Sequence, residues 1–101
     1  MEKSEYEFIQ GKAIQLMYFS VSDKNDELEV VLKVYSSGRS FKLVFYNVSR
    51  LFIQNLSIPM IISGFEIICN KEKGWDKDSM YSVHDFEDDK LHFFCADFKI
   101  T

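Results

Sequence analysis

The sequence predicts a mainly β protein (all-β or α+β), folded as a single-domain antiparallel sandwich or partly open barrel of about seven strands. Ten Phe and five Tyr bring the aromatic fraction to 16%, and aromatic and β-branched residues favour pleated, half-buried surfaces. Apolar and polar residues alternate over short stretches that polar turns separate. The recurrent helical segments of about 10–15 residues that βαβ units need do not occur.

The first ten residues are ambiguous. Ser4 followed by Glu7 matches a capping box, and Gly11 would then end a short N-terminal helix. The alternative is a frayed first strand, and the helix is the preferred interpretation.

Three strands are predicted at residues 13–21, 28–35 and 41–45. Only polar turns separate them, at 22–27 and 36–39, so they are expected to form an antiparallel meander. The side chains expected on one face are Ile14, Leu16 and Tyr18 in the first strand, Leu28, Val30, Leu32 and Val34 in the second, and Phe41, Leu43 and Phe45 in the third.

The middle of the chain is predicted as a bend and short strand at 47–54, followed by a strand at 60–69. The second segment is almost continuously apolar, which is typical of a strand covered on both faces. Gly64 in its middle predicts a bulge or a close approach of another backbone. A loop is expected at 70–79.

The last twenty-one residues predict a closing β-hairpin, with Glu87-Asp-Asp-Lys90 as its turn. A turn centred on Asp88-Asp89 would place Asp85 opposite His92 and would put His84 and His92 on opposite faces. Two sets would then form: Phe86, Leu91, Phe93 and Cys95 share one face with His84, and Asp85, Glu87, Lys90 and His92 share the other. A slip of one residue would exchange the faces.

Length and charge limit the class of protein. The 101 residues are enough for one domain, 1–101. The net charge is −4, which argues against a nucleic-acid binder. No acid occurs between residues 30 and 65, so the charge predicts either alternating solvated faces or a polarised surface that steers a charged partner.

Because we find neither a signal-peptide pattern nor an apolar stretch of about 20 residues, we expect a cytoplasmic chain without membrane contact.

No catalytic motif is found, and we expect a protein that is not an enzyme and uses no cofactor. The sequence lacks Gly-x-Ser-x-Gly, a phosphate-binding glycine loop and His-Glu-x-x-His. Cys69 and Cys95 match no zinc spacing and are expected to be buried free thiols. His84, Asp85 and His92 could orient an imidazole or bind a metal, but a solvated polar face is the favoured interpretation, so no metal site is predicted.

A candidate protein interface is the most specific functional feature. Trp75 stands in a charged loop, and Trp is enriched at binding hot spots. The alternative is that this loop folds back and Trp75 covers the core. The residues assigned to the interface are Trp75, Asp76, Asp78, Asp85, Glu87, Asp88 and Asp89.

Three segments carry a resemblance to known proteins: Phe45-Tyr-Asn-Val-Ser-Arg-Leu51, Ile62-Ser-Gly-Phe-Glu-Ile67 and the hairpin from Tyr81 to Cys95. They resemble small bacterial β-rich families of unassigned role, some of which look like immunity proteins of polymorphic-toxin systems. The resemblance covers about half the chain and transfers no catalytic residue. It implies a cytoplasmic, non-enzymatic protein that binds and blocks a cognate toxin.

Two functions are therefore open at this point. The first is a small protein-binding module, such as an immunity protein, that acts by surface complementarity. The second is a structural module that self-associates through its sheet edges, since a strand as long as 60–69 could pair with another copy if it were uncovered. A homo-oligomer is compatible with either.

Overall fold

Eight antiparallel strands form one sheet in the computed structural model, which describes residues 12–70 and 80–101. The strands are β1 (Lys12–Lys24), β2 (Glu27–Ser36), β3 (Arg39–Tyr46), β4 (Ser49–Ile53), β5 (Met60–Cys69), β6 (Tyr81–Asp85), β7 (Leu91–Cys95) and β8 (Asp97–Ile100). This confirms the predicted all-β class. The expected N-terminal helix and most of the 70–79 loop lie outside the described residues. The described part contains no helix that is long and apolar enough to cross a membrane.

The sheet is open, in the order β4-β7-β6-β5-β1-β2-β3-β8, and it coils around one core. Strand β3 continues into β4 through Asn47 and Val48, and β7 continues into β8 through Ala96. Strand β3 pairs with β8, and β4 pairs with β7. The segment made of β3 and β4 therefore runs antiparallel to the segment made of β7 and β8. The Ala96 N–H donates to the Tyr46 carbonyl oxygen at 3.0 Å where the two pairings meet. The two ends of the strand order therefore lie side by side, as in the predicted partly open barrel.

Period-two alternation places the apolar side chains inside this coil. Phe45 of β3 and Phe93 of β7 belong to strands that do not pair, yet their rings meet edge to face at 4.9 Å. The fully buried large side chains are Phe45, Phe65, Phe93, Phe98, Ile14, Leu16, Leu32, Leu43, Ile62, Ile67 and Leu91. Contact between such side chains across the interior removes apolar surface from water and so favours the curled sheet.

Two sequence expectations about facing are wrong. Tyr18 was expected inside with Leu16, but it is 44% exposed because the β1–β2 register shifts between these residues. A bulge of this kind inserts a residue and reverses the facing beyond it. Strand β5 was expected to be covered on both faces, but Ile61 is 50% exposed. The meander of β1, β2 and β3 is confirmed.

The two connections within the meander are tight turns. Asn25 and Asp26 join β1 to β2 with φ angles of 53° and 65°, and Ser37 and Gly38 join β2 to β3 with φ angles of 53° and 79°. Positive φ at both central residues is the geometry of a type I′ turn, whose twist matches the twist of paired strands. Asn, Asp and Gly adopt this conformation at low cost, so the polar turns set the register of the meander.

Candidate functional site

The β6–β7 hairpin has a register one residue away from the predicted one. His84 lies opposite His92 and Val83 lies opposite Phe93. The predicted pairing of Asp85 with His92 is therefore wrong, and so is the placement of His84 and His92 on opposite faces. The connection comprises residues 86–90 rather than a tight turn centred on Asp88.

The buried carboxylate of Asp85 explains the wider connection. Its Oδ1 accepts hydrogen bonds from the backbone N–H groups of Gly64 at 3.1 Å, Glu87 at 3.2 Å and Asp88 at 3.4 Å, and its Oδ2 accepts one from Lys90 at 3.2 Å. Three N–H groups of the turn thus donate to a side-chain carboxylate rather than to backbone carbonyl oxygens. Asp85 is 0% exposed, so it does not belong to the acidic surface to which the sequence assigned it.

These hydrogen bonds also decide the charge state of Asp85. Burial raises the pKa of the carboxyl, because a dry environment disfavours the charged form. The backbone N–H groups of Lys90, Asp88, Gly64 and Glu87 stabilise the carboxylate and outweigh burial, so the pKa lies below its usual value. Asp85 is therefore ionised at neutral pH and holds the turn with charge-assisted hydrogen bonds.

Gly64 lets the turn pack closely on β5. A Cβ at this position would lie 2.7 Å from Glu87 Cγ, 3.0 Å from the Glu87 nitrogen and 3.0 Å from Phe86 Cδ2. The Phe86 N–H donates to the Gly64 carbonyl oxygen at 2.9 Å. The close backbone approach predicted at Gly64 is confirmed, and its partner is the β6–β7 turn.

An outward row of side chains runs from the turn across four strands. Phe52 of β4 pairs with His92 of β7, His92 with His84 of β6, and His84 with Glu66 of β5. The two imidazole rings lie 5.1 Å apart, and His84 Nε2 lies 3.0 Å from Asp89 Oδ1. The row therefore joins the acidic turn to an aromatic side chain on the end strand.

Exposed apolar and acidic groups lie together here. Phe52 is 47% exposed and Phe86 is 45% exposed, and the carboxylates of Glu87, Asp88 and Asp89 face solvent. We call this set the turn surface, which comprises Phe52, His84, Phe86, Glu87, Asp88, Asp89 and His92.

The structure brings part of the predicted interface together. Glu87, Asp88 and Asp89 are exposed on one turn as expected, whereas Trp75, Asp76 and Asp78 lie outside the described residues. Sequence reasoning missed Phe52 and Phe86. The alternation placed Phe86 inside, but Phe86 follows the last residue of β6 and belongs to the turn.

Among residues 12–70 and 80–101, no group of three or more His, Cys, Asp or Glu side chains is arranged to hold a metal ion. Neither Cys69 nor Cys95 forms a disulfide. Cys95 is buried as predicted, but the prediction is wrong for Cys69, which is exposed. Tyr81 of β6 pairs with Cys69 of β5 on one side and with Cys95 of β7 on the other. The two cysteines are therefore two strand spacings, or about 10 Å, apart, which is too far for a disulfide.

Comparisons with protein-family models, with curated proteins and with solved structures give no match for this chain. The comparisons therefore assign no activity and no partner to the turn surface.

Proposed function

We propose that the chain is a small protein-binding module that uses the turn surface to hold a partner with a basic surface. The observation that carries this proposal is an exposed acidic turn fixed from inside by Asp85. Glu87, Asp88 and Asp89 present their carboxylates on a backbone that donates three hydrogen bonds to the Asp85 carboxylate, and a fourth, from the Gly64 N–H, ties that carboxylate to β5.

Rigidity favours binding, because a segment that is already ordered loses little conformational entropy when a partner docks. Further contacts fix the turn from outside. The Gln54 side-chain amide donates to the Asp89 carbonyl oxygen at 2.9 Å, and the Lys90 ammonium donates to the Ile61 carbonyl oxygen at 3.0 Å. The turn is therefore anchored to the strands on both sides of it.

The composition of the turn surface is that of an interface. Phe52 and Phe86 supply exposed aromatic area, and aromatic residues are enriched at the centres of protein interfaces. The carboxylates beside them would steer a basic partner and fix its orientation.

The class of partner follows from the resemblance to immunity proteins. A toxin that acts on an anionic substrate presents basic residues at its active site, and an acidic turn could cover them. On this proposal the chain acts in the cytoplasm, without catalysis, by occupying the functional surface of its cognate toxin.

Co-expression with the products of adjacent genes tests this proposal. One neighbouring product should slow growth when expressed alone, and the wild-type chain should restore growth and co-purify with that product. If no neighbouring product is toxic or co-purifies, the immunity proposal fails.

A charge-neutral variant tests the surface itself. Glu87→Gln, Asp88→Asn and Asp89→Asn together remove three charges, and Asn tolerates the positive φ of 52° at Asp89. The control is Asp26→Asn with Glu27→Gln, which removes two exposed charges at the β1–β2 turn and the first residue of β2. The turn variant should lose protection and the control should keep it. Equal protection by both would contradict the proposed surface.

The alternative function is self-association through sheet edges, but the strand that motivated it does not lie at an edge of the sheet. Residues 60–69 form β5, which pairs with β1 on one side and β6 on the other. The end strands are the short β4 and β8. Strand β4 carries a register shift between Ser49 and Phe52, and such irregularities disfavour pairing between edges. Light scattering should find a monomer at high micromolar concentration, and a concentration-dependent oligomer would support the alternative.

A further inference from the structure

The two histidines of the chain lie side by side on the outer face of the β6–β7 hairpin. His84 pairs with His92 across the ladder, and Glu66 of β5 pairs with His84 on its other side. Both histidines are partly exposed, and 34% of the His84 side chain is accessible. The observed register therefore brings together, within reach of solvent, two imidazoles that the predicted register kept on opposite faces.

The separation of the two rings is that of imidazoles that share one metal ion. Their centroids lie 5.1 Å apart, and their planes meet at 62°. An ion such as Zn²⁺ lies about 2.0–2.1 Å from each ligating nitrogen, so a tetrahedral ion holds two ring centroids roughly 5 Å apart. The pair therefore needs no change of strand register to hold an ion between its rings.

The Asp89 carboxylate is a second, independent observation that indicates a metal. Its Oδ1 lies 3.0 Å from His84 Nε2. An ionised carboxylate can only accept a hydrogen bond, so a neutral His84 carries its proton on Nε2 and keeps a lone pair on Nδ1. Histidines that bind metals almost always donate their other N–H in this way, which orients the ring and makes it a more basic ligand. Nδ1 of His84 is therefore the nitrogen available to an ion.

The ligand chemistry selects the class of ion. Imidazole suits Zn²⁺, Ni²⁺ and Cu²⁺, whereas Mg²⁺ and Ca²⁺ prefer oxygen ligands. Since the described residues include no group of three His, Cys, Asp or Glu side chains placed to hold an ion, water would fill the remaining coordination positions. The His92 ring also meets the Phe94 ring at 5.1 Å, so a row of aromatic rings without any ligand is the alternative that the experiment separates.

We propose that His84 and His92 form a two-histidine chelate for a divalent transition-metal ion, with Asp89 as the residue that positions His84. The ion would link β6 to β7 beside the acidic turn. This site is independent of the proposed function, because no protein partner takes part in it.

A Ni²⁺ titration of the ¹⁵N-labelled Cys69→Ser chain tests this proposal. The substitution removes an exposed thiol that would compete for the ion. Because Ni²⁺ bound to imidazole and water is paramagnetic, it should broaden the amide signals around His84 and His92 first and in a saturable way. Mg²⁺ should leave these signals unchanged. Broadening that does not saturate, or that begins on other strands, would overturn the proposal.

Single histidine variants show whether the two rings share the ion. His84→Gln and His92→Gln should each weaken Ni²⁺ binding by about tenfold or more, because losing a ligand costs at least as much as losing a supporting contact. Both positions are partly exposed, so folding should persist, and circular dichroism checks it. Wild-type affinity in either variant would mean that one imidazole binds alone, and would reject the chelate.

Two carboxylate variants test the role of Asp89. Asp89→Asn and Asp88→Asn each remove one charge from the same turn, but Asp89 is the one that contacts His84. Ni²⁺ affinity should fall by about tenfold in Asp89→Asn and by less than about threefold in Asp88→Asn. Equal affinities in the two variants would mean that the turn attracts the cation only diffusely, and would overturn the role assigned to Asp89.

Discussion

Asp85 is the residue on which the turn surface depends. Asp85→Asn would replace one carboxylate oxygen with an amide that donates hydrogen bonds, and this amide would face backbone N–H donors. Because hydrogen bonds to a buried charged group are lost, we expect the free energy of unfolding to fall by about 2–4 kcal/mol. Urea denaturation measures this loss.

Asp88→Asn is the matched control, because the Asp88 side chain is exposed on the same turn. Its effect on the free energy of unfolding should stay within about 0.5 kcal/mol. A loss for Asp85→Asn no larger than the control's would show that the carboxylate does not hold the turn.

The lowered pKa of Asp85 predicts a pH dependence of stability. A carboxyl whose pKa is lower in the folded state stabilises the fold above its unfolded value of about 3.9. That stabilisation is lost as the pH falls through the folded pKa. The stability difference between wild type and Asp85→Asn should therefore be full at pH 7 and shrink as the pH drops below about 4. Urea denaturation at pH 7 and pH 3 measures it. A difference that stays constant or grows in acid would contradict the assigned direction.

At the scale of elements, the β6–β7 turn depends on its contact with β5. Gly64→Ala would bring a Cβ within 3.0 Å of the Glu87 backbone nitrogen, which cannot move without breaking a hydrogen bond to Asp85. We expect a loss of about 1–3 kcal/mol in the free energy of unfolding, the usual cost of overpacking.

Ser63→Ala, one residue earlier in β5 and partly exposed, is the control for Gly64→Ala and should change stability by about 0.5 kcal/mol or less. Amide exchange at Asp89, whose N–H donates to the Asp85 carbonyl oxygen at 3.0 Å, should accelerate only in Gly64→Ala. Unchanged stability and exchange in that variant would show that the turn does not need the close approach.

Strands with clean alternation were predictable from the sequence. Strands β2 and β3 show the predicted inward sets, because Val30, Leu32 and Val34 on one and Leu43 and Phe45 on the other repeat at period two. The short turns between them carry residues that accept positive φ. Local sequence is sufficient where local geometry sets the register.

The hairpin register was not predictable, because distant contacts set it. Asp85 looks like one of several turn acids in the sequence, and nothing nearby indicates that its carboxylate is buried against Gly64, 21 residues away. The sequence likewise contains no signal for the bulge that exposes Tyr18. For the candidate site, the acidic turn was predictable, whereas the exposure of Phe52 depends on β4 lying at the end of the sheet.

At the scale of the whole molecule, the structure shows where the acid-free stretch between residues 30 and 65 lies. Its lysines, Lys33 and Lys42, belong to β2 and β3, whereas the carboxylates of the turn surface follow β6. The basic side chains of this stretch and the acidic turn therefore lie on different strands of one coiled sheet.

The affinity of the chain for the toxic neighbouring product that the proposed function requires tests the central claim most directly. Calorimetry should compare wild type, the triple variant Glu87→Gln, Asp88→Asn and Asp89→Asn, and the control Asp26→Asn with Glu27→Gln. We predict that the triple variant binds at least about tenfold more weakly, with a smaller dependence on salt, because it has lost the charges that steer and orient the partner. The control should match the wild type. Wild-type affinity and salt dependence in the triple variant would contradict the account.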